Sequence, residues 1–295
     1  MNRRHTIFGA LALSAALALA PLAQAAGFAS DRFTVTVAGK GSDVILIPGL
    51  SSSARVWDGV VAHLKPGHRL HVLQRGGFAG APVGGNASGP VSAPVAEDLA
   101  RYIEANHLDH PAVIGHSMGG TIAMMLAARH PADVGRVMVI DMPPYLGLFF
   151  GGPQITLEGA KALGAQVRQG MMGGTDAERS KRINETIATM VKTESARAEP
   201  VHDSETSDRD VSARAMEELI VTDLRPELHN VTAPLTEVHV WTPQFPMTAD
   251  QLTAGYKALL KDVKDARVVR IDDSYHFIMV DQPDRLNAAV DGFLK

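Results

Sequence analysis

The chain of 295 residues is predicted to fold as an α/β domain in which helices cover both faces of a mostly parallel sheet. Three observations predict this class. Short apolar runs alternate with helical patterns along most of the chain. Residues 44–47 are continuously apolar, as in a parallel strand buried on both faces. Residues 145–227 carry helical patterns without a strand, which indicates an insertion into the sheet.

The first 25 residues are predicted to be a secretory signal peptide that is removed. Arg3 and Arg4 precede an apolar, alanine-rich stretch at 7–22, and residues 23–25 have the A-x-A pattern of a cleavage site. The apolar stretch is short for a membrane-spanning helix and is broken by a proline, so cleavage is favoured over an anchor. We therefore expect a periplasmic or secreted protein without a stable membrane anchor.

The composition argues against several other classes of protein. The formal net charge is −4 and both signs are spread along the chain, which gives no indication of a nucleic-acid partner. The chain has no cysteine, so disulfides and thiol chemistry are excluded. The histidines show no metal-ligand spacing, and we predict neither a metal nor another cofactor. Sequence composition does not indicate an oligomeric state.

Before the insertion, strands and helices are predicted in alternation. The predicted strands are residues 33–37, 43–47, 69–73, 112–114 and 137–140. The predicted helices are residues 53–64, 95–106 and 121–129. A glycine-rich stretch at 76–90 is predicted to be a loop.

The insertion, residues 145–227, is predicted to be a helical lid. Its predicted helices are 157–171, 176–193 and 208–221, with a polar, acidic surface loop at 198–207. The sheet resumes with strands 236–241 and 266–271 and helices 249–263 and 282–294. Residues 26–144 and 228–295 would then form the core. Because such insertions leave from the carboxyl edge of the sheet, the lid is expected to lie over the functional site.

The candidate nucleophile is Ser117, in the sequence Gly-His-Ser-Met-Gly at 115–119. This G-x-S-x-G pattern between a strand and a helix is typical of a nucleophile elbow, in which a strained turn projects the serine hydroxyl above the sheet. A side chain at either glycine would force that turn open. A serine hydroxyl needs a base, and His276, on the loop after the last strand, is the candidate. His116 is expected to pack beside the turn.

A strand, an elbow, a helical insertion and a late histidine, in this order, resemble the α/β-hydrolase superfamily, in particular its exported esterase-like members with a helical lid. The resemblance extends from Phe33 to the C-terminus and is most specific at 115–120 and 275–283. It implies the α/β-hydrolase fold, with Ser117 as nucleophile and His276 as general base. It also implies that the backbone N–H groups of Leu50 and Met118 form the oxyanion hole.

The acid that would orient His276 is missing from its commonest place in that family. No carboxylate follows the strand at 236–241 until Asp250. Other members place the acid after the strand that follows the elbow, and here that residue is Asp141, which also satisfies the order serine, acid, histidine. Asp141 is therefore preferred, Asp250 is the alternative, and a dyad without an acid is the third possibility.

The resemblance implies a cofactor-independent serine hydrolase that cleaves a small or medium-sized hydrophobic carboxylic ester through an acyl-enzyme. Lactones, thioesters, amides and carbon–carbon bonds are cleaved by the same constellation, so they remain alternatives. The absent carboxylate after Trp241 leaves a non-catalytic binding protein as a further alternative. The candidates for an apolar acyl pocket, which packing within the lid explains equally well, are Leu148, Phe149, Phe150, Met171 and Met172.

Overall fold

The computed structural model describes residues 28–295, so the predicted signal peptide lies outside the described residues. Seven strands form one sheet in the order β1-β3-β2-β4-β5-β6-β7. β1 pairs antiparallel with β3, and all other pairs are parallel. The strands are β1 (Phe33–Gly39), β2 (Ser42–Ile47), β3 (His68–Arg75), β4 (Ala112–His116), β5 (Arg136–Ile140), β6 (Leu235–Trp241) and β7 (Ala266–Asp272). The predicted α/β class is confirmed.

The continuous apolar runs of the central strands serve two hydrophobic layers. In β2, Ile45 and Ile47 belong to the layer on one face of the sheet, and Val44 and Leu46 belong to the layer on the other face. All four side chains are fully buried. Because successive side chains of a strand point to opposite faces, a strand covered on both sides has no place for a polar alternation.

Helices on both faces cover the sheet before the insertion. They are α1 (Asp58–Leu64), α2 (Ser92–Ala105) and α3 (Met118–Arg129). The predicted helix at 53–64 is split, because its first part is a 3₁₀ turn at Ala54–Trp57. The glycine-rich stretch is a loop that contains a second 3₁₀ turn at Gly84–Ala87. The buried Asn86 holds this loop, since its side-chain amide donates to the carbonyls of Arg32 and Gly76.

Between β5 and β6 the described chain forms five α-helices. They are α4 (Gly147–Gly151), α5 (Leu157–Met172), α6 (Asp176–Met190), α7 (Ala198–Thr206) and α8 (Arg209–Val221). The two ends of this insertion lie side by side, because Tyr145 forms a β-bridge with Asp223 and Leu224 N donates to Pro144 O at 2.9 Å. The helices therefore leave and return at the carboxyl end of β5.

The prediction of a surface loop at 198–207 was wrong, since Ala198–Thr206 is the helix α7. Pro200 lies in the first turn, where a missing N–H breaks no helical hydrogen bond. One of the acidic side chains that indicated a solvated loop is buried against the core. Asp203 is buried and accepts hydrogen bonds from Ser53 N at 2.8 Å and from Arg55 at 3.0 Å.

The insertion also contacts the segment that follows β2. The hydroxyls of Ser51 and Ser212, the latter on α8, are 3.0 Å apart. The carboxylate of Glu218, also on α8, accepts from the backbone N–H groups at the start of α2, which lie at Val91, Ser92 and Ala93. α7 and α8 are thus fastened to the core by hydrogen bonds of buried and half-buried groups.

After the insertion the alternation of strand and helix resumes. α9 (Ala249–Leu259) lies between β6 and β7, and it ends before residue 263, where the sequence predicted its end. The short helix α10 (Ile278–Asp281) and the final helix α11 (Pro283–Leu294) follow β7. Within residues 28–295, no helix combines the length and the apolar character needed to cross a membrane.

Candidate active site

Ser117 alone separates β4 from α3, in a backbone conformation that few non-glycine residues adopt. Its φ is 54° and its ψ is −124°. Such a conformation costs on the order of 1–3 kcal/mol and persists only where the surroundings impose it. Here Ser117 N donates to Ile140 O at 2.9 Å, and Ser117 O accepts from Gly120 N at 2.7 Å. The sharp turn expected of a nucleophile elbow is therefore present.

The two glycines of the elbow occupy positions where no side chain fits. A Cβ on Gly115 would lie 2.1 Å from the carbonyl oxygen of Gly119. A Cβ on Gly119 would lie 2.2 Å from the carbonyl oxygen of Ile47 and 2.5 Å from that of Pro48. Both contacts are with backbone atoms of neighbouring elements, which cannot move aside cheaply. The expectation that these glycines are required for the turn is confirmed.

The structure brings His276 and Asp141 together. His276 Nδ1 and Asp141 Oδ2 are 2.6 Å apart, and both side chains are largely shielded from solvent. Asp141 directly follows β5 and is held by the neighbouring strand β6. Its N–H donates to Val238 O at 2.7 Å, and its Oδ1 accepts from Val240 N at 3.3 Å. The carboxylate therefore has a fixed position from which it can orient the imidazole.

Asp250, the alternative acid, lies elsewhere. It is in the first turn of α9, its side chain is 99% exposed, and it pairs with Arg270 at 3.4 Å. Among the described residues, the side chain of His276 hydrogen-bonds to Asp141 and not to Ser117. In enzymes without a bound substrate this last hydrogen bond is often long and shortens only when substrate binds.

The two backbone N–H groups proposed as oxyanion donors are free. Met118 is the first residue of α3, where a helical N–H has no intrahelical acceptor. Leu50 follows β2 on a loop that touches the elbow, since a Cβ on Gly49 would be 3.2 Å from Ser117 Cβ. Neither N–H donates to another group within residues 28–295. Both are therefore available to a negatively charged oxygen.

His116 packs beside the elbow and supports His276. Its Nε2 lies 3.0 Å from the backbone carbonyl of His276 and so carries the proton, and the two rings are 4.6 Å apart. Complete burial, the neighbouring His276 and the charge of Arg75 hold the pKa of His116 well below its ordinary value. His116 is thus a neutral hydrogen-bond donor that fixes the backbone of His276.

Glu237 is a second carboxyl group close to Asp141 that the sequence analysis did not single out. It lies in β6, is fully buried, and its Oε1 accepts from Met142 N at 3.3 Å, while its Oε2 has no partner among the described residues. Burial, and secondly the charge of Asp141, raise the pKa of Glu237 well above its ordinary value. Burial therefore favours the protonated form of Glu237. An acidic residue inside the predicted strand 236–241 was its sequence signal.

The candidates for an acyl pocket lie on α4 and at the end of α5. Leu148 and Met171 are half-buried. Phe149, Phe150 and Met172 are 55%, 50% and 42% exposed, so packing inside the insertion does not account for them. In the described part of the chain, no group of three or more histidine, aspartate or glutamate side chains is arranged to hold a metal ion.

Comparison with known proteins points to one superfamily. The family model of the α/β-hydrolase fold matches residues 44–173. A pimeloyl-(acyl-carrier protein) methyl ester esterase of Aromatoleum aromaticum is 24% identical over 267 residues, which cover 82% of this chain and 94% of the relative. The corresponding enzyme of Aeromonas hydrophila is 32% identical over 108 residues, covering 36% of this chain and 40% of the relative.

The chain spans 37–42% of the length of four curated relatives that are 28–32% identical to it. Among solved structures, the enol-lactonase of Burkholderia xenovorans has a TM-score of 0.69 at 18% identity, covering 89% of this chain and 96% of that one. At this identity the likeness concerns the fold.

Replacing Gly119 by alanine is expected to lower the free energy of unfolding by about 1–3 kcal/mol, because the new Cβ would overlap the carbonyl of Ile47. Urea-induced unfolding would measure the change. Gly255→Ala is the matched control, since Gly255 lies in α9 with no atom within 4 Å of a new Cβ. That control is expected to be more stable than wild type by about 0.5–1 kcal/mol. Equal stability of the two variants would contradict the steric account.

Replacing Glu237 by glutamine is expected to make stability less sensitive to alkaline pH. The folded-state pKa of Glu237 is raised, so wild type keeps its full stability below the ordinary value of 4.5 and loses stability as pH rises towards the folded pKa. Glutamine keeps an acceptor for Met142 N and does not titrate. The melting temperature of the variant minus that of wild type should increase from pH 4.5 to pH 8. Glu158→Gln, at an exposed position, is the control. A melting-temperature difference for Glu237→Gln that does not change with pH would refute the raised pKa of Glu237.

Proposed function

Since the chain belongs to the α/β-hydrolase superfamily, we propose that it is a serine hydrolase that cleaves a carboxylic ester through an acyl-enzyme. Ser117 would be the nucleophile, His276 the general base, and Asp141 the acid that orients the base. The observation that carries the proposal is the hydrogen bond of 2.6 Å between His276 and Asp141, at the same sheet edge as the strained turn of Ser117. The esterases among its relatives support the same reaction class.

The first half of the reaction follows from the tautomer of His276. Asp141 accepts the proton on Nδ1, so Nε2 is left with a lone pair that can take the proton of the Ser117 hydroxyl. The serine oxygen then bonds to the ester carbonyl carbon, and the negative charge moves to the carbonyl oxygen. When this intermediate collapses, the bond to the alcohol oxygen breaks and Nε2 returns the proton to the leaving alcohol.

The second half releases the acid and repeats the same proton transfers. A water molecule gives a proton to His276 Nε2 and attacks the acyl carbon, and the bond to the serine oxygen breaks with return of the proton to Ser117. In both halves the N–H groups of Leu50 and Met118 would stabilise the oxyanion. The loss of one such donor typically lowers the rate by about 100-fold to 1,000-fold.

We propose a small or medium-sized hydrophobic ester as substrate. The names of two relatives, pimeloyl-(acyl-carrier protein) methyl ester esterases, support an ester of a small alcohol. The exposed Phe149 and Phe150 at the carboxyl edge of the sheet support an apolar acyl group. A lactone is the second candidate, because its ring opening needs the same groups and the fold is shared with an enol-lactonase.

A non-catalytic binding protein is disfavoured by the same hydrogen bond. That alternative depended on the missing carboxylate after Trp241, and Asp141 supplies a carboxylate to His276 from the neighbouring strand. We further propose that residues 145–227 act as a lid and that the protein is exported after cleavage near Ala25. Export is supported by Arg3, Arg4 and the apolar stretch that follows. It disfavours carbon–carbon bond hydrolysis of cytosolic intermediates.

Turnover of nitrophenyl esters of increasing acyl length by the mature protein, measured beside lactones, tests the function. Wild type is expected to hydrolyse at least the short esters and to be labelled covalently by a fluorophosphonate probe. Ser117→Ala should lose both properties, because the probe phosphonylates the serine oxygen with loss of fluoride. Absence of labelling and of turnover in folded wild type would rule out the serine hydrolase.

Asp141→Asn and Asp250→Asn form a matched pair for the identity of the acid. Asp141→Asn is expected to lower kcat by roughly 10,000-fold, because asparagine cannot stabilise the required tautomer and charge of His276. Asp250→Asn should retain wild-type kcat, since its exposed side chain pairs with Arg270. A loss smaller than about tenfold for Asp141→Asn would exclude Asp141 as the orienting acid.

A further inference from the structure

Arg75, the last residue of β3, is a fully buried cation behind the loop that carries Leu50. Its Nη2 donates to the carbonyl of Pro48 at 3.0 Å and to the carbonyl of Gly49. Its guanidinium also lies over the ring of Phe78, 4.7 Å from the centroid. Within residues 28–295, Nε and Nη1 have no hydrogen-bond partner. Incomplete pairing of a buried charge lowers the stability of the folded protein, so the retention of this charge calls for another role.

The second carbonyl acceptor belongs to the peptide that carries the proposed oxyanion donor. Gly49 C=O and Leu50 N–H are the two ends of one peptide unit. A trans peptide is planar, and its C=O and N–H point in opposite directions. A guanidinium bonded to the oxygen, which also accepts from Ser52 N at 3.3 Å, therefore helps to fix the direction in which the Leu50 N–H points. It also polarises the peptide, since hydrogen bonds in series strengthen one another.

Within residues 28–295, no carboxylate hydrogen-bonds to the guanidinium of Arg75. Burial lowers the pKa of Arg75 to about 9, which leaves the guanidinium charged at neutral pH. Glu218 is the acid that counteracts this effect, but its oxygens accept from backbone N–H groups at the start of α2. The negative charge that the proposed reaction creates would form on the other side of the Gly49–Leu50 peptide. A fixed positive charge in a water-excluded site favours that charge.

We propose that Arg75 is a positioning residue of the oxyanion hole, which orients and polarises the Gly49–Leu50 peptide so that its N–H stabilises the oxyanion. The inference rests on the proposed function, because the oxyanion forms only in that reaction. It differs from a purely structural anchor in one measurable respect. An anchor would affect stability alone, whereas a residue acting through the oxyanion donor affects the transition state more than the bound substrate.

Arg75→Met and Arg75→Lys test this inference beside the control Arg69→Met. Arg69 lies at the opposite end of β3, where it pairs with Asp43 and is 43% exposed. Arg75→Met is expected to lower kcat by about 10-fold to 100-fold with KM within about threefold of wild type. The kcat of Arg75→Lys, which keeps the charge and loses the planar fork, should lie between that of Arg75→Met and that of wild type. Arg69→Met should keep the wild-type kcat.

A transition-state analogue gives a second reading of the same effect. A boronic acid bonds to the serine oxygen and places a negatively charged oxygen where the oxyanion forms. Its inhibition constant should rise in Arg75→Met by the same factor by which kcat/KM falls. The KM of the substrate should not rise by this factor, because the substrate carries no such negative charge.

The Leu50 amide resonance in nitrogen-15 spectra gives a reading that needs no turnover. Loss of the guanidinium from the Gly49 carbonyl should shift or broaden the Leu50 signal and leave the Met118 signal in place. If wild type neither hydrolyses esters nor reacts with the probe, the proposed function fails, and this spectrum alone decides whether Arg75 orients the peptide. An unchanged Leu50 signal would then refute the orientation.

The inference is overturned if wild type is active and folded Arg75→Met keeps kcat within about threefold. It is equally overturned if kcat and KM change in the Arg69→Met control as they do in Arg75→Met. If Arg75→Met does not fold, Arg75→Lys decides. A wild-type kcat and an unshifted Leu50 amide in Arg75→Lys would refute the role of the fork, and a reduced kcat with a shifted amide would support it.

Discussion

The close approach of three backbone segments at the elbow is the constraint on which the site depends. Gly115 touches Gly119 across the turn, and Gly119 touches the end of β2 at Ile47, at distances that leave no room for a Cβ. This contact fixes where β4 ends, where α3 begins and where the loop after β2 passes. The N–H groups of Met118 and Leu50 belong to two of the segments that meet at this contact. The strained backbone of Ser117 is maintained by these neighbours together with the backbone hydrogen bonds of the serine to Ile140 and Gly120.

Around Asp141 the same logic is carried by polar groups. β6 supplies the backbone contacts that hold the aspartate, and Glu237 fixes the next residue through Met142 N. An ionised carboxylate at that place would repel Asp141, and burial disfavours it by raising the pKa of Glu237. His116, neutral for the same reason, fixes the backbone of His276 from the other side. Burial thus favours the uncharged form of both groups that support Asp141 and His276, namely Glu237 and His116.

Much of the fold could be predicted from sequence because its signals are local. Continuous apolar runs such as 44–47 mark central strands, and the serine between two glycines marks the turn. Its place after the strand that follows the elbow favoured Asp141 over Asp250, and the structure brings Asp141 to His276. The failures share one cause. α7 was predicted as a loop, and Arg75 and Glu237 were overlooked, because their partners lie far away in sequence: Asp203 meets Ser53, and Arg75 meets Pro48 and Gly49. The sequence shows that a residue is polar, and only the fold shows which groups form its hydrogen bonds.

The hydrogen bonds that fasten the helical insertion to the core have a mechanical consequence. Asp203 holds Ser53, and Ser212 meets Ser51, so α7 and α8 are attached to the segment that begins with Leu50. An outward rotation of these two helices would pull on the same loop whose N–H group must stay aligned with Ser117. Opening the site and keeping the Leu50 N–H aligned with Ser117 would then place opposing demands on the same loop. The short helix with Phe149 and Phe150 makes neither of these attachments, and it packs against α5 and α8.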